Sequence, residues 1–138
     1  MVAVTVILAG AAACGARPHP GFFGHWSHAE LGEHYIVREG STVRVVYTHG
    51  DGRVVGEVEG NTMTGWWTQA PTRQPPHDAG EVTFTFSVVN GVARIDGVRH
   101  SDAGPTDWDL TFVEARIPPE IQRDFEDGTT FLARYRQP

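Results

Sequence analysis

The chain has a single cysteine, Cys14, no lysine, and no apolar run long enough to span a bilayer as a helix, which takes about 20 residues. It also lacks a nucleophile elbow and a phosphate-binding glycine loop, so no local motif announces hydrolytic or nucleotide chemistry. Charge of one sign is scarce: 11 basic residues, every one Arg, stand against 17 Asp plus Glu. That balance argues against nucleic acid as a partner, because phosphate binding needs a basic face. Glycines are spaced along the chain rather than clustered, which marks turns and not a low-complexity linker. At 138 residues the chain fits one domain.

Met1 to Cys14 carries no charged side chain. Val2, Val4, Val6, Ile7 and Leu8 form a short apolar core, followed by Ala9-Gly10-Ala11-Ala12-Ala13-Cys14. An apolar core followed by small residues is how a secretory signal is built. Small residues at the three positions before a cysteine resemble a bacterial lipobox. The resemblance implies a signal peptide over residues 1–13 and a lipid on Cys14, the first residue of the mature protein. Two other readings stand beside it: a plain cleaved signal with Cys14 incidental, and a buried N-terminal strand with a free thiol. Export is favoured because an unpaired thiol is a hazard in an oxidising compartment unless it is modified. Residues 14–21, with Pro18 and Pro20, read as a flexible tether. The expected location is the cell envelope, lipid-anchored at the outer face of a bacterial membrane, with secretion the alternative.

From Phe22 the texture changes to short alternating runs cut by turn residues. The expected strands are Gly24–His28, His34–Glu39, Thr42–His49, Arg53–Glu59, Thr62–Thr68, Glu81–Val89, Val92–His100 and Thr106–Glu114. Asn90-Gly91 between apolar runs is the strongest short hairpin signal, since both turn residues need positive φ. Gln69–Ala79, with Pro71, Pro75 and Pro76, reads as a loop. The Asn90-Gly91 turn sets Val88 opposite Ala93, Phe86 opposite Ile95 and Phe84 opposite Gly97, all on one face. Gly60-Asn61 likewise sets Val58 opposite Met63, Gly56 opposite Gly65 and Val54 opposite Trp67. The expected inward set is Val43, Val45, Tyr47, Val54, Val58, Met63, Trp67, Val82, Phe84, Phe86, Val88, Ile95, Trp108, Leu110 and Phe112. Tyr35 and Val37 stay ambiguous, because the turn after Glu39 holds either two or three residues. The fold class is all-β: an antiparallel up-and-down barrel of about eight strands over residues 22–116. Pro118-Pro119-Glu120 opens a short helix, and residues 117–138 form a C-terminal helix and tail.

Three pieces carry a likeness to known proteins: Gly24-His25-Trp26, the run from Gly56 to Trp66, and Gly80-Glu81-Val82-Thr83-Phe84-Thr85-Phe86. Together they resemble small exported bacterial barrels of calycin-like plan, similar to lipocalins and avidins, over about Phe23 to Val113. In lipocalins a Gly-x-Trp tryptophan closes the barrel base and an arginine after the last strand packs over it. The resemblance therefore implies Trp26 and Arg116 as a barrel-closing pair.

Candidate sites are few. His25 and His28 stand three apart in a strand and face opposite ways, so they cannot chelate together and read, with His34, as surface or rim residues. Asp107 and Asp109 flank Trp108 and fall outside if Trp108 is inside. Val46, Val55 and Trp66 face away from the core as an apolar outer patch. This patch is either a partner surface or is covered by the tail through Ile121, Phe125, Phe131, Leu132 and Tyr135. The function expected is a binding or interaction module without cofactor, its partner a protein or a small apolar ligand. A lipocalin-like carrier, holding an apolar molecule among Tyr47, Trp67, Phe84 and Trp108, is the alternative. A barrel enzyme with a rim site at His34, Arg99 and Asp96 is the third.

Overall fold

Turn chemistry sets the meander. Asn90 and Gly91 both adopt positive φ (52° and 79°), as a two-residue hairpin loop with the twist of its strands requires. The computed structural model describes residues 20–126. The leader, Cys14, most of the tether, and the tail residues Phe131, Leu132 and Tyr135 lie outside the described residues. Among the described residues nine strands are found: β1 (Gly24–His28), β2 (Gly32–Glu39), β3 (Thr42–Tyr47), β4 (Gly52–Glu59), β5 (Thr62–Thr68), β6 (Ala79–Val89), β7 (Val92–Ser101), β8 (Gly104–Asp107) and β9 (Leu110–Glu114). One helix, α1 (Pro119–Glu126), follows them. From β1 to β7 each strand pairs antiparallel with the next, and β9 lies between β7 and β1. The result is a closed eight-stranded antiparallel barrel with β8 as an extra short strand on β7.

The expected last strand is thus two. The break falls at Trp108-Asp109, where the Gly97 N–H turns to the Asp109 carboxylate (3.1 Å) and Trp108 N–H donates to the Gly97 carbonyl (2.8 Å). The turn registers hold: Phe86 faces Ile95 and Phe84 faces Gly97, while Val58 faces Met63 and Val54 faces Trp67. Glu39 pairs with Thr42, so the loop is the two residues Gly40-Ser41, which turns Ile36 inward and Tyr35 and Val37 outward. Val88 is a correction: it is 39% exposed, because the β6–β7 hairpin runs on past the barrel wall.

The lumen is filled by large residues set against small ones. Trp26, Trp67, Trp108, Phe84, Met63, Ile36 and Ile95 are fully buried there. A Cβ on Gly97 would stand 2.5 Å from the Phe84 ring and from the Trp108 carbonyl, so only glycine lets those rings sit where they do. A second, outer cluster joins Val46, Val55 and Phe125, flanked by Tyr35, Val37, Ile117 and Ile121. α1 therefore covers Val46 and Val55 of the outer patch, and each apolar side chain so buried contributes roughly 1.5–3 kcal/mol.

The two ends of the barrel differ. At the entry end the chain comes in through Phe22, and the β2–β3, β4–β5 and β6–β7 turns lie around it. Phe22, Phe86, Phe112 and Trp26 pack there edge-on or tilted, with ring centroids 5.0–6.4 Å apart. At the opposite, loop end lie the β1–β2, β3–β4, β5–β6 and β7–β8 connections.

Candidate functional site

Polar chemistry inside the barrel gathers at the loop end. His34 lies two residues before Ile36 on β2, so alternation sends it into the lumen, where it is fully buried. An indole N–H can only donate, so the Trp108 Nε1–H bonding to His34 Nε2 at 2.9 Å fixes that nitrogen as acceptor. The proton is then on Nδ1, which donates to the Gly32 carbonyl at 2.9 Å. Both ring nitrogens are satisfied in the neutral form. Burial is the main force that pushes the His34 pKa down to about 3; the Gly32 bond opposes it, and His28 and His25 add to it.

The Tyr47 ring stacks on His34 at 4.9 Å and 8°, and stands edge-on to Trp108 at 5.1 Å. It also lies over the Gly52 α-carbon, where a Cβ would occupy the ring itself. Gln69 Nε2 donates to the Tyr47 hydroxyl at 2.8 Å. Burial raises the Tyr47 pKa well above its ordinary value, so the phenol stays neutral.

The loops around this end are laced together. Ala70 N–H donates to the Gly50 carbonyl, Asp102 N–H to the Pro76 carbonyl and His49 N–H to the Leu31 carbonyl. Arg73 pairs with Asp51 at 2.7 Å, and His77 with Asp102 at 3.0 Å. Asp78 accepts from the Thr72 N–H and hydroxyl, which together hold its carboxyl below the usual range.

Arg99 is the odd member. It continues the inward series Ala93, Ile95, Gly97 of β7, yet it is partly exposed, so this end admits solvent beside it. Its guanidinium carbon lies 4.8 Å from the Trp67 ring centroid and 5.4 Å from that of Trp108. Its Nη1 is buried with no hydrogen-bond partner among the described residues. Magnitudes make this unusual. Stacking on an indole contributes about 0.5–2 kcal/mol, whereas a buried donor without a partner costs about 1–3 kcal/mol, more when charged. As a plug alone, Arg99 breaks even at best.

The four residues expected to line an interior pocket come together as packed, buried side chains: Phe84 stands edge-on to Trp108 at 5.2 Å, Tyr47 adjoins the same indole, and Arg99 bridges it to Trp67. The rim trio does not converge. His34 is in the lumen rather than at the surface, and Asp96 pairs with Arg94 at 2.8 Å on the outer face. His25 is on the outer side against Glu33 and Tyr35, while the His28 ring nitrogen accepts the Glu30 and Leu31 N–H groups (both 3.0 Å) and so caps the β1–β2 turn. Val55 and Trp66 do face each other outside; Val46 and Val55 are buried under α1, and Trp66 is half-buried. Trp26 is fully buried at the entry end and Arg116 is exposed; the arginine stacked on interior indoles is Arg99, at the other end. An open groove of about 640 Å³ by Ser27, His28, Ala29, Glu33, Asp109 and Thr111 runs beside the loop end. Its His28 and Asp109 are already committed to backbone N–H groups. Sequence reasoning missed the inward placing of His34 and the stacking of Arg99, although strand parity carried the signal for both. Comparison of the chain with protein-family models, with curated proteins and with solved structures finds no match.

Proposed function

We propose that this protein is an exported binding module, tethered through a lipid on Cys14 to the outer face of the bacterial membrane, with the loop end of its barrel directed away from that membrane. The observation that carries the reading is the asymmetry of the two ends. The chain enters at the apolar end, and the aromatic cluster with Arg99 stacked on its indoles lies at the other. Val88, Val89 and Val92, 39–63% exposed, sit on the same entry end. The six residue-to-residue steps from Cys14 to Pro20 reach at most about 20 Å, so the tether holds that end close to the bilayer. Among the described residues the barrel closes and fills from Phe22 onward, which supports reading the segment before it as a leader. Fully buried indoles occupy the lumen, which favours binding at the mouth over carriage of an apolar molecule deep inside. The test is intact mass and fractionation of the protein and of Cys14→Ala from bacterial cells. An acylated Cys14 at the mature N-terminus, with the variant lost from membranes, is expected. A mature chain starting at Met1 with a free thiol overturns the tether.

A further inference from the structure

We propose that the tip of the β6–β7 hairpin dips into the surface of a lipid bilayer and orients the barrel upon it. The proposal rests on the reading that Cys14 holds this end at a membrane, and adds a reversible contact to the covalent one.

Phe23, Val88, Val89, Val92, Val98 and Val113 are the large apolar side chains left exposed among the described residues, and all but Val98 lie at the entry end. Val89 pairs with Val92, and the β7–β9 register carried on by two residues sets Val92 level with Val113. Phe23 leads into β1, the strand beside β9. The five therefore gather on neighbouring strands around one hairpin tip, and such a patch marks a contact surface.

Charge and shape select the partner. Of the three hairpins at this end, the first carries Arg38 and Glu39 at its turn and the second carries Glu59, whereas residues 86–93 hold no charge at all. Burying that tip therefore desolvates no ion. β5 accompanies β6 only as far as Asn61, whose carbonyl accepts the Phe86 N–H at 2.9 Å. Ser87, Val88 and Val89 run on beyond that neighbour, which at about 3.3 Å per residue is a reach of about 10 Å. Amphipathic elements lying in a bilayer surface sink about 5–10 Å. Alternation puts Val88 on one face of the hairpin and the pair Val89–Val92 on the other, so the tip is apolar on both sides. A protein surface covers one side of such a ribbon, while a fluid apolar medium surrounds it. The chain leading back to Cys14 leaves from this same end, at Pro20.

The test is NMR of the full chain carrying Cys14→Ala, which has no thiol to acylate, in phosphatidylcholine bicelles doped with a lipid bearing a nitroxide near the top of its acyl chain. The amide signals of Val88 to Val92 should broaden most, those of Gly40 and Gly60 at the other two tips less, and those of Gly50 and Asp102 at the loop end least. Replacing both exposed valines, Val89→Ser with Val92→Ser, should bring broadening at the tip down to that at Gly60. Val98→Ser, at the exposed valine outside the patch, should keep the parent pattern. Equal broadening of the three tips in the parent, or undiminished broadening in the double variant, overturns the proposal. Tip shifts that grow with protein concentration in the absence of lipid overturn it in favour of a second copy of the chain. None of these outcomes requires an acylated Cys14, so they separate from a failure of the membrane tether.

Discussion

The two ends of this barrel close by different physics. At the entry end Phe22, Trp26, Phe86 and Phe112 pack on one another, and the one polar group of that set, the Trp26 indole N–H, donates to the Phe23 carbonyl at 2.9 Å. At the loop end closure runs through polar atoms: His34 between Trp108 and Gly32, Tyr47 under Gln69, and loops laced to one another. Apolar packing is non-directional and indifferent to pH, whereas a buried polar network holds only while each member has its partner and its charge state. The first end is built to be stable, and the second has chemistry to spare.

Four measurements break or sharpen that contrast. Trp26→Ala should cost about 3–5 kcal/mol in denaturant unfolding, the largest single effect, since it empties the apolar end. Acid should act through the loop end. His34 binds a proton in the unfolded chain below pH 6.5 but in the folded one only near pH 3, so its contribution is complete above pH 6.5 and fades as pH falls. Between pH 7 and pH 4.5 that amounts to roughly 2–3 kcal/mol. His34→Gln should flatten the profile over that window, and a slope unchanged in this variant would remove His34 from the account. Phe125→Ala should cost about 1.5–3 kcal/mol and speed hydrogen exchange in α1 while leaving the barrel strands protected. Arg73→Ala, which removes an ion pair to an exposed carboxylate, should cost less than ~1 kcal/mol.

Much of the fold was legible because it is made of local hairpins. Two-residue turns fix the sum of paired positions, so Asn90-Gly91 alone places Phe84, Phe86 and Ile95 in the lumen. What escaped was decided by neighbours distant in the chain. His34 follows the parity of Ile36, but a histidine reads as a surface residue until Trp108, far along the sequence, is seen to donate to it. Arg99 follows the parity of Ile95 and Gly97 in the same way, and nothing local says that two indoles receive it. Val88 failed for a geometric reason: alternation states which side a residue faces, not whether a wall still stands opposite it. The break at Trp108-Asp109 depends on a side-chain carboxylate competing for the Gly97 N–H, which hydrophobic patterning does not register.

The seam between β1 and β9 has a kinetic meaning. Between neighbouring strands the ladders of this barrel are short-range hairpins, whereas His25 must find Glu114, and Ser27 must find Thr111, across nearly the whole domain. Such a closure bears the largest chain-entropy penalty and belongs late in folding, after the hairpins have aligned the wall. A circular permutant opened at Asn90-Gly91 and joined across the seam would keep every pairing and exchange their order of difficulty. β1–β9 would become a hairpin, and β6–β7, the longest ladder here, would become the slow lock of the ring.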